Sequence, residues 1–135
     1  MNHDRKPVDK TMASVRVLLV EDDDLIRMIM GEYLQEDGFE VVQLWNGKEA
    51  VRLLEGSDGF DVLFTDVQMP GALDGVALAE QARRRCPRIP VLVVSGYAEN
   101  LVSRLRNMDP PAVLMGKPYD FTAVADTLRR LAGKV

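Results

Sequence analysis

The stretch Phe60–Gly75, FDVLFTDVQMPGALDG, decides how the rest of the chain is read. It opens on an apolar run, Val62-Leu63-Phe64, and reaches a carboxylate, Asp66, at the end of that run. A turn follows, carried by Met69-Pro70-Gly71 and then by Asp74-Gly75. Near-continuous apolar content suits a parallel strand covered on both faces, where an antiparallel strand with one wet face would alternate. A charge at the mouth of such a strand is costly to desolvate. It needs a cation, a hydrogen-bond network or a chemical purpose.

Similar runs recur on either side: VRVLLV from Val15 to Val20, EVVQLW, PVLVVS and the shorter AVLMG. Between them lie segments of helical spacing. Leu25, Ile26, Ile29 and Tyr33 form a first apolar stripe, closed by Gly38 in a C-terminal cap position. Ala50, Val51 and Leu54 form a second before Gly56, and Val76, Ala79 and Ala82 a third before Pro87. Leu101, Leu105 and Met108 mark a fourth, stopped by Pro110-Pro111. Phe121, Val124, Ala125, Leu128 and Leu131 mark the fifth and clearest. Strict strand–helix alternation predicts an α/β fold: a doubly wound, five-stranded parallel sheet with five helices on its two faces. Right-handed crossovers favour the flavodoxin-like order 2-1-3-4-5.

Composition agrees. The chain has 135 residues, 47% hydrophobic and 28% charged, as expected of one globular domain. No apolar run approaches the roughly 20 residues that cross a bilayer, and MNHDRKPVDKTMAS lacks the apolar segment of a signal peptide. A single cysteine, Cys86, excludes an internal disulfide framework and a multi-cysteine zinc site within one chain. A reduced, cytoplasmic setting without membrane contact is the economical expectation. The net charge of -4 argues against a nucleic-acid surface. Residues 1–14 read as a flexible arm, and 15–135 as the domain.

In such a sheet, ligands bind beyond the carboxyl ends of the strands. The first strand delivers Glu21-Asp22-Asp23 to that edge, the third Asp66, the fourth Ser95-Gly96 and the fifth Lys117-Pro118. In the expected order the first and third strands are neighbours, so Glu21, Asp22 and Asp66 converge. Converging carboxylates resist full ionisation unless a cation intervenes, and Mg²⁺ is the simplest choice. A lysine and a serine hydroxyl nearby suit phosphate oxygens. With a metal bound, a carboxylate can act as nucleophile toward phosphorus and form an acyl phosphate. Each residue also has a plainer role: Asp23 or Asp24 as a helix N-cap, and Asp66 or Ser95-Gly96 as turn formers.

Together these residues resemble the receiver domains of two-component response regulators. The resemblance runs from Val15 to the C-terminus. It rests on Glu21-Asp22, Asp66 with Met69-Pro70, Asp74-Gly75, Ser95 and Lys117-Pro118. It implies that Asp66 is the phosphoacceptor, taking a phosphoryl group from a phosphohistidine on a sensor histidine kinase or histidine phosphotransfer protein. Mg²⁺, or Mn²⁺ in its place, would be held by Asp22, Asp66, the backbone carbonyl of Gln68 and, through a water, Glu21. Lys117 and Ser95 would contact phosphoryl oxygens, and the bond before Pro118 is a cis candidate. Such domains are switches with self-phosphorylation and slow self-dephosphorylation, not turnover enzymes.

Three departures stand out. Gly71-Ala72-Leu73 makes the loop from Asp66 to Asp74-Gly75 one residue longer than is usual in the family. Leu114 occupies the fifth-strand position that usually carries a switching aromatic. Tyr97, after Ser95-Gly96, and Gln68 flank the phosphoryl position and are read as modulating residues. Tyr97 either shields the acyl phosphate, takes over as the mobile aromatic, or is a surface residue at a helix start.

The remaining features read plainly. Arg83-Arg84-Arg85 is a solvated face and dipole partner at a helix end, His3 is inert, and Trp45 packs at the end of the second strand. Helices 4 and 5 are the family's usual output surface, for an output protein or a homodimer. The favoured reading is a stand-alone receiver. Its alternatives are a receiver cut from a hybrid sensor kinase and a degenerate receiver that binds without phosphorylation. A Mg²⁺-dependent aspartyl-phosphate hydrolase would place a second Asp where Gln68 stands. A nucleotide-binding domain lacks its glycine-rich motif.

Overall fold

The computed structural model describes residues 14–56, 59–69, 73–96 and 102–133. The arm before Ser14, Gly71-Ala72 of the lengthened loop and Tyr97 lie outside them. Strands and helices alternate: β1 (Arg16–Val20), α1 (Asp24–Glu36), β2 (Glu40–Leu44), α2 (Gly47–Glu55), β3 (Val62–Asp66), α3 (Gly75–Arg85), β4 (Val91–Ser95), α4 (Val102–Arg106), β5 (Val113–Gly116) and α5 (Phe121–Leu131). The strands form one sheet in the order β2-β1-β3-β4-β5, every pairing parallel. This is the doubly wound, flavodoxin-like architecture that the alternation predicts.

The apolar runs of β3 and β4 are buried at every residue, because helices cover both of their faces. Successive side chains leave a strand on opposite sides. Leu18, Val20, Leu63, Val91 and Val93 therefore pack with Leu54, Leu78, Ala79 and Leu105 of α2, α3 and α4. Val17, Leu19, Val62, Phe64, Leu92 and Val94 pack with Met30, Leu34, Val124 and Leu128 of α1 and α5. Each buried leucine or valine among them contributes about 1.5–3 kcal/mol by leaving water.

Helix ends are set by local chemistry. Asp23, Asn46, Asp74 and Asp120 cap α1, α2, α3 and α5, each accepting from a backbone N–H of the first turn. Gly38 ends α1 with a φ of 99°. Its N–H donates to Gln35 O and that of Phe39 to Leu34 O, the paired bonds of a Schellman motif.

Three expectations are corrected. Most of the stripe read as the packing side of α1 faces water, with Leu25 67% exposed, Ile29 48% and Ile26 41%, while its fourth member, Tyr33, packs against the core. The helix instead buries Met30, Gly31 and Leu34. Two apolar stripes share this helix, and Gly31 marks the one that packs. A Cβ there would fall 2.1 Å from Nε2 of Gln43, so the Gln43 amide fills the space that the bare glycine leaves. Trp45, expected to pack at the end of β2, is 56% exposed, its ring centroid 5.9 Å from the Arg27 guanidinium.

Arg83 leaves the solvated face and is half-buried. Its Nε donates to Ile89 O at 2.6 Å and its Nη1 to Pro110 O at 2.5 Å, tying α3 to the segments entering β4 and β5. Burial lowers its pKa. Arg84 stays exposed, and Arg85 pairs with Glu55 at 2.7 Å.

Candidate functional site

The carboxyl ends of β1, β3 and β5 meet around an open cleft lined by Glu21, Asp22, Asp66, Gln68 and Lys117, among others. Asp66, the last residue of β3, is only 5% exposed, and both of its carboxylate oxygens are engaged. Lys117 Nζ donates to Oδ2 at 2.5 Å, and the Gln68 N–H donates to Oδ1 at 2.9 Å. The charge that the sequence left unexplained thus has both an ammonium partner and a backbone donor. Such charge-assisted bonds fix the rotamer as well as offsetting desolvation.

The backbone beneath it is equally constrained. The Val67 N–H donates to Val94 O at 3.0 Å and the Gly75 N–H to Val67 O at 2.8 Å. A Cβ on Gly75 would fall 2.2 Å from the Asp66 carbonyl oxygen. Glycine at the start of α3 is therefore a requirement of close approach. Asp74 caps that same turn through Ala77 N–H.

On the β1 side the three acidic residues divide their tasks. Glu21 is buried, its carboxylate accepting the Asp23 N–H at 3.0 Å. Asp23 accepts from Ile26 N–H as the cap of α1. Asp22 is exposed on the cleft wall. Burial pushes the Glu21 carboxyl up from its ordinary 4.5 to about 7; the Asp23 hydrogen bond opposes this, and the neighbouring Asp66 reinforces it. For Lys117, burial pulls the pKa down, but the hydrogen bond and charge of Asp66 outweigh it and leave the ammonium above its usual value.

The donors here are hard oxygens beside an acid that resists ionising, which suits a divalent cation such as Mg²⁺. Among the described residues, no three Asp, Glu, His or Cys side chains close on one point. The protein's share would be one or two carboxylates and a carbonyl, with the remaining positions left to water and phosphate, as Mg²⁺ prefers.

Ser95 is the buried end of β4, one residue beyond the Val94 that stands beside Asp66 in register. Its carbonyl accepts the Lys117 N–H at 2.9 Å, and the Lys117–Pro118 bond is cis, as is Asp109–Pro110. Leu114 sits half-buried against the α2–α3–α4 side of the core. The fold therefore brings Glu21, Asp22, Asp66, Gln68, Ser95 and Lys117 to one edge.

The receiver domain of response regulators has a residue pattern that matches positions 17–128. The chain belongs to that family. It is 35% identical over 122 residues to the sensor kinase CckA of Brucella abortus, covering 90% of this chain and 13% of the kinase. It is 27% identical to the response regulator receiver protein CpdR of the same organism, across 86% of this chain and 95% of that one. Among solved structures, the receiver domain of the hybrid histidine kinase CckA superposes with a TM-score of 0.71 at 30% identity, covering 87% of this chain and 98% of that one. A receiver protein from Sinorhizobium medicae gives a TM-score of 0.80 at 24% identity, over 89% and 95% of the two chains, a likeness of fold. The chain spans a small part of the kinase it resembles and nearly all of CpdR. Receiver domains are phosphoacceptor switches that meet histidine kinases or phosphotransfer proteins and take Mg²⁺ in their acidic pocket. No helix among the described residues is long and apolar enough to cross a membrane.

Two contributors escaped the sequence reading. Arg27 Nη1 donates to the Glu21 carbonyl at 2.9 Å, and its Nη2 pairs with Asp24 at 2.7 Å, fixing the entry to α1. Tyr119 lines a small space together with Glu21 and Asp66, and burial raises its pKa. Its ring lies 6.3 Å from Phe121, which meets Tyr33 of α1 edge-on at 5.2 Å. Their positions, one turn into α1 and two residues after Lys117, are weak signals until the sheet edge is assembled.

Proposed function

We propose that Asp66 is the residue that takes the phosphoryl group, and that the domain spans residues 15–135. The observation that carries this is the fixed carboxylate: Lys117 on Oδ2, the Gln68 N–H on Oδ1, at the floor of an open acidic cleft. An Asp66 oxygen attacks phosphorus of a protein phosphohistidine. The P–N bond breaks, and the imidazole leaves with its electron pair and gains a proton. Hydrolysis reverses the state: water attacks phosphorus, the acyl P–O bond breaks, and orthophosphate and the Asp66 carboxylate return.

Asp22, Asp66 and the Gln68 carbonyl would hold Mg²⁺ or Mn²⁺ directly, with Glu21 acting through a water. The ion supplies neutralisation of charge on the transferring group. Lys117, already above its ordinary pKa, stays protonated to meet a phosphoryl oxygen, and Ser95 offers its hydroxyl to another. Gln68 stands where a hydrolase would carry its acid–base aspartate, which favours a long-lived switch over turnover. Leu114 removes the usual β5 aromatic, so the phosphorylated state is reported through other groups, Tyr97 among the candidates.

The same chemistry serves a receiver that works as a separate cytoplasmic protein and one carried within a hybrid kinase. Relatives of both kinds support the two readings. In either, output passes by protein contact, with α4 and α5 as its surface or as a homodimer face. The test is incubation with phosphoramidate and Mg²⁺ followed by intact-mass measurement. Wild type gains one phosphate and Asp66→Asn none; an unmodified wild type would leave a binding module that works without phosphate.

A further inference from the structure

Arg27 leaves the start of α1, yet its side chain is only 12% exposed. Its guanidinium meets three groups at once. Nη1 donates to the Glu21 carbonyl at 2.9 Å, Nη2 pairs with Asp24 at 2.7 Å, and Cζ lies over the Trp45 ring, 5.9 Å from the centroid. The Asp24 pair holds little by itself, because that carboxylate stands in water. The carbonyl bond is different. The Glu21 carbonyl and the Asp22 N–H belong to one planar peptide, so a donor fixed on the carbonyl also fixes the direction in which Asp22 leaves the turn. The same turn is held at its other peptides. The Glu21 N–H donates to Leu44 O at 3.0 Å, the Asp23 N–H to the Glu21 carboxylate at 3.0 Å, and the Arg27 N–H to Asp23 O at 2.9 Å. Leu44 pairs with Val20 in register, which carries Trp45 alongside this turn.

We infer that Arg27 is a positioning residue for the divalent cation: it acts through the Glu21–Asp22 peptide to preset the acidic pair, and Trp45 holds its guanidinium in place. The inference rests on Asp22 and Asp66 taking Mg²⁺ and deepens that reading. By charge alone, a guanidinium near the cleft disfavours a cation. By geometry it favours one, since carboxylates already in place need not be ordered when the ion arrives. Mg²⁺ demands near-ideal octahedral placement and gives up its waters reluctantly, so the geometric effect is the larger. Arginine suits the task better than lysine. Its planar fork reaches a carbonyl and a carboxylate together while stacking on an aromatic ring, which a single ammonium does not.

The two effects have opposite signs, so one titration decides between them. Mg²⁺ is added to wild type, Arg27→Ala, Arg27→Lys and Trp45→Ala. The amide NMR shifts of Asp22 and Gln68 give the affinity, and the same spectra report the fold. Arg27→Ala should bind Mg²⁺ roughly tenfold more weakly, the usual effect of removing a group that orients a metal ligand. Arg27→Lys should fall between it and wild type, and Trp45→Ala should lose about twofold. The Mg²⁺ concentration that half-saturates labelling by phosphoramidate should rise in the same order. Unchanged or tighter binding in Arg27→Ala overturns the inference and leaves Arg27 a helix-start contact or a repelling charge. Wild-type affinity in Trp45→Ala alone overturns the part given to the indole. Should Arg27→Ala lose its fold, Arg27→Lys and Trp45→Ala carry the test, and wild-type affinity in both overturns the inference. A wild type that binds no Mg²⁺ sinks the metal reading itself, a distinguishable result.

Discussion

Helices α1 and α5 cover the same face of the sheet, and they differ in how much apolar surface they hold back from it. On α5, Val124, Ala125 and Leu128 are buried and the rest of the helix is polar or half-buried. On α1, Met30 and Leu34 are buried while Leu25, Met28 and Ile29 stand in water on the other side. The helices touch through Tyr33 and Phe121, and Arg129 of α5 reaches Asp37 at 2.8 Å. One helix is a wall of the core. The other is a wall with a second apolar face left in water, whose Ile26 also lines the cleft of Asp66.

The sharpest way to break this comparison is to truncate the inward faces. Leu34→Ala and Leu128→Ala should each lower unfolding free energy by about 2–5 kcal/mol in urea titrations, since both side chains are fully enclosed. A small loss at Leu34 would mean that α1 packs on its other stripe.

The helix starts differ too, and pH separates them. Glu21, just before α1, has a folded pKa raised to about 7 from 4.5, so the folded state binds more protons than the unfolded one between those values. Stability in chelator should therefore fall as pH rises from about 4.5 through 7. Glu21→Gln should flatten that fall, read as the Tm difference between pH 5 and pH 8.

A smaller effect belongs to the caps. Asp23→Ala and Asp120→Ala should each cost about 1 kcal/mol, because each removes an acceptor for a first-turn N–H. Smallest of all are the outward changes. Leu25→Ala and Met28→Ala should stay within about 0.5 kcal/mol of wild type by thermal unfolding, since neither side chain leaves water on folding. A cost comparable to Leu34→Ala would put them in the core and remove the second face.

The α5 stripe was legible because a single apolar run at helical spacing leaves one way to face the sheet. On α1 the run Leu25-Ile26-Arg27-Met28-Ile29-Met30 is apolar almost all round, and periodicity cannot rank two stripes. Arg83 misled for a related reason. Three adjacent arginines look alike in sequence, yet one lies where the Ile89 and Pro110 carbonyls need a donor. Arg27 and Tyr119 acquire meaning when the ends of β1, β3 and β5 are brought together.

By itself the sequence determined the alternation of strands and helices, the parallel sheet, and the residues carried to its carboxyl edge. These follow from local periodicity and from chain connectivity, which every residue in a run helps to specify. The tertiary structure decided what depends on distant neighbours: that Lys117 and the Gln68 N–H divide the oxygens of Asp66, that Gly75 must lack a side chain against Asp66, and which side of α1 is left to water. Burial and hydrogen bonding are properties of the assembled surfaces, and no single run of residues contains both partners.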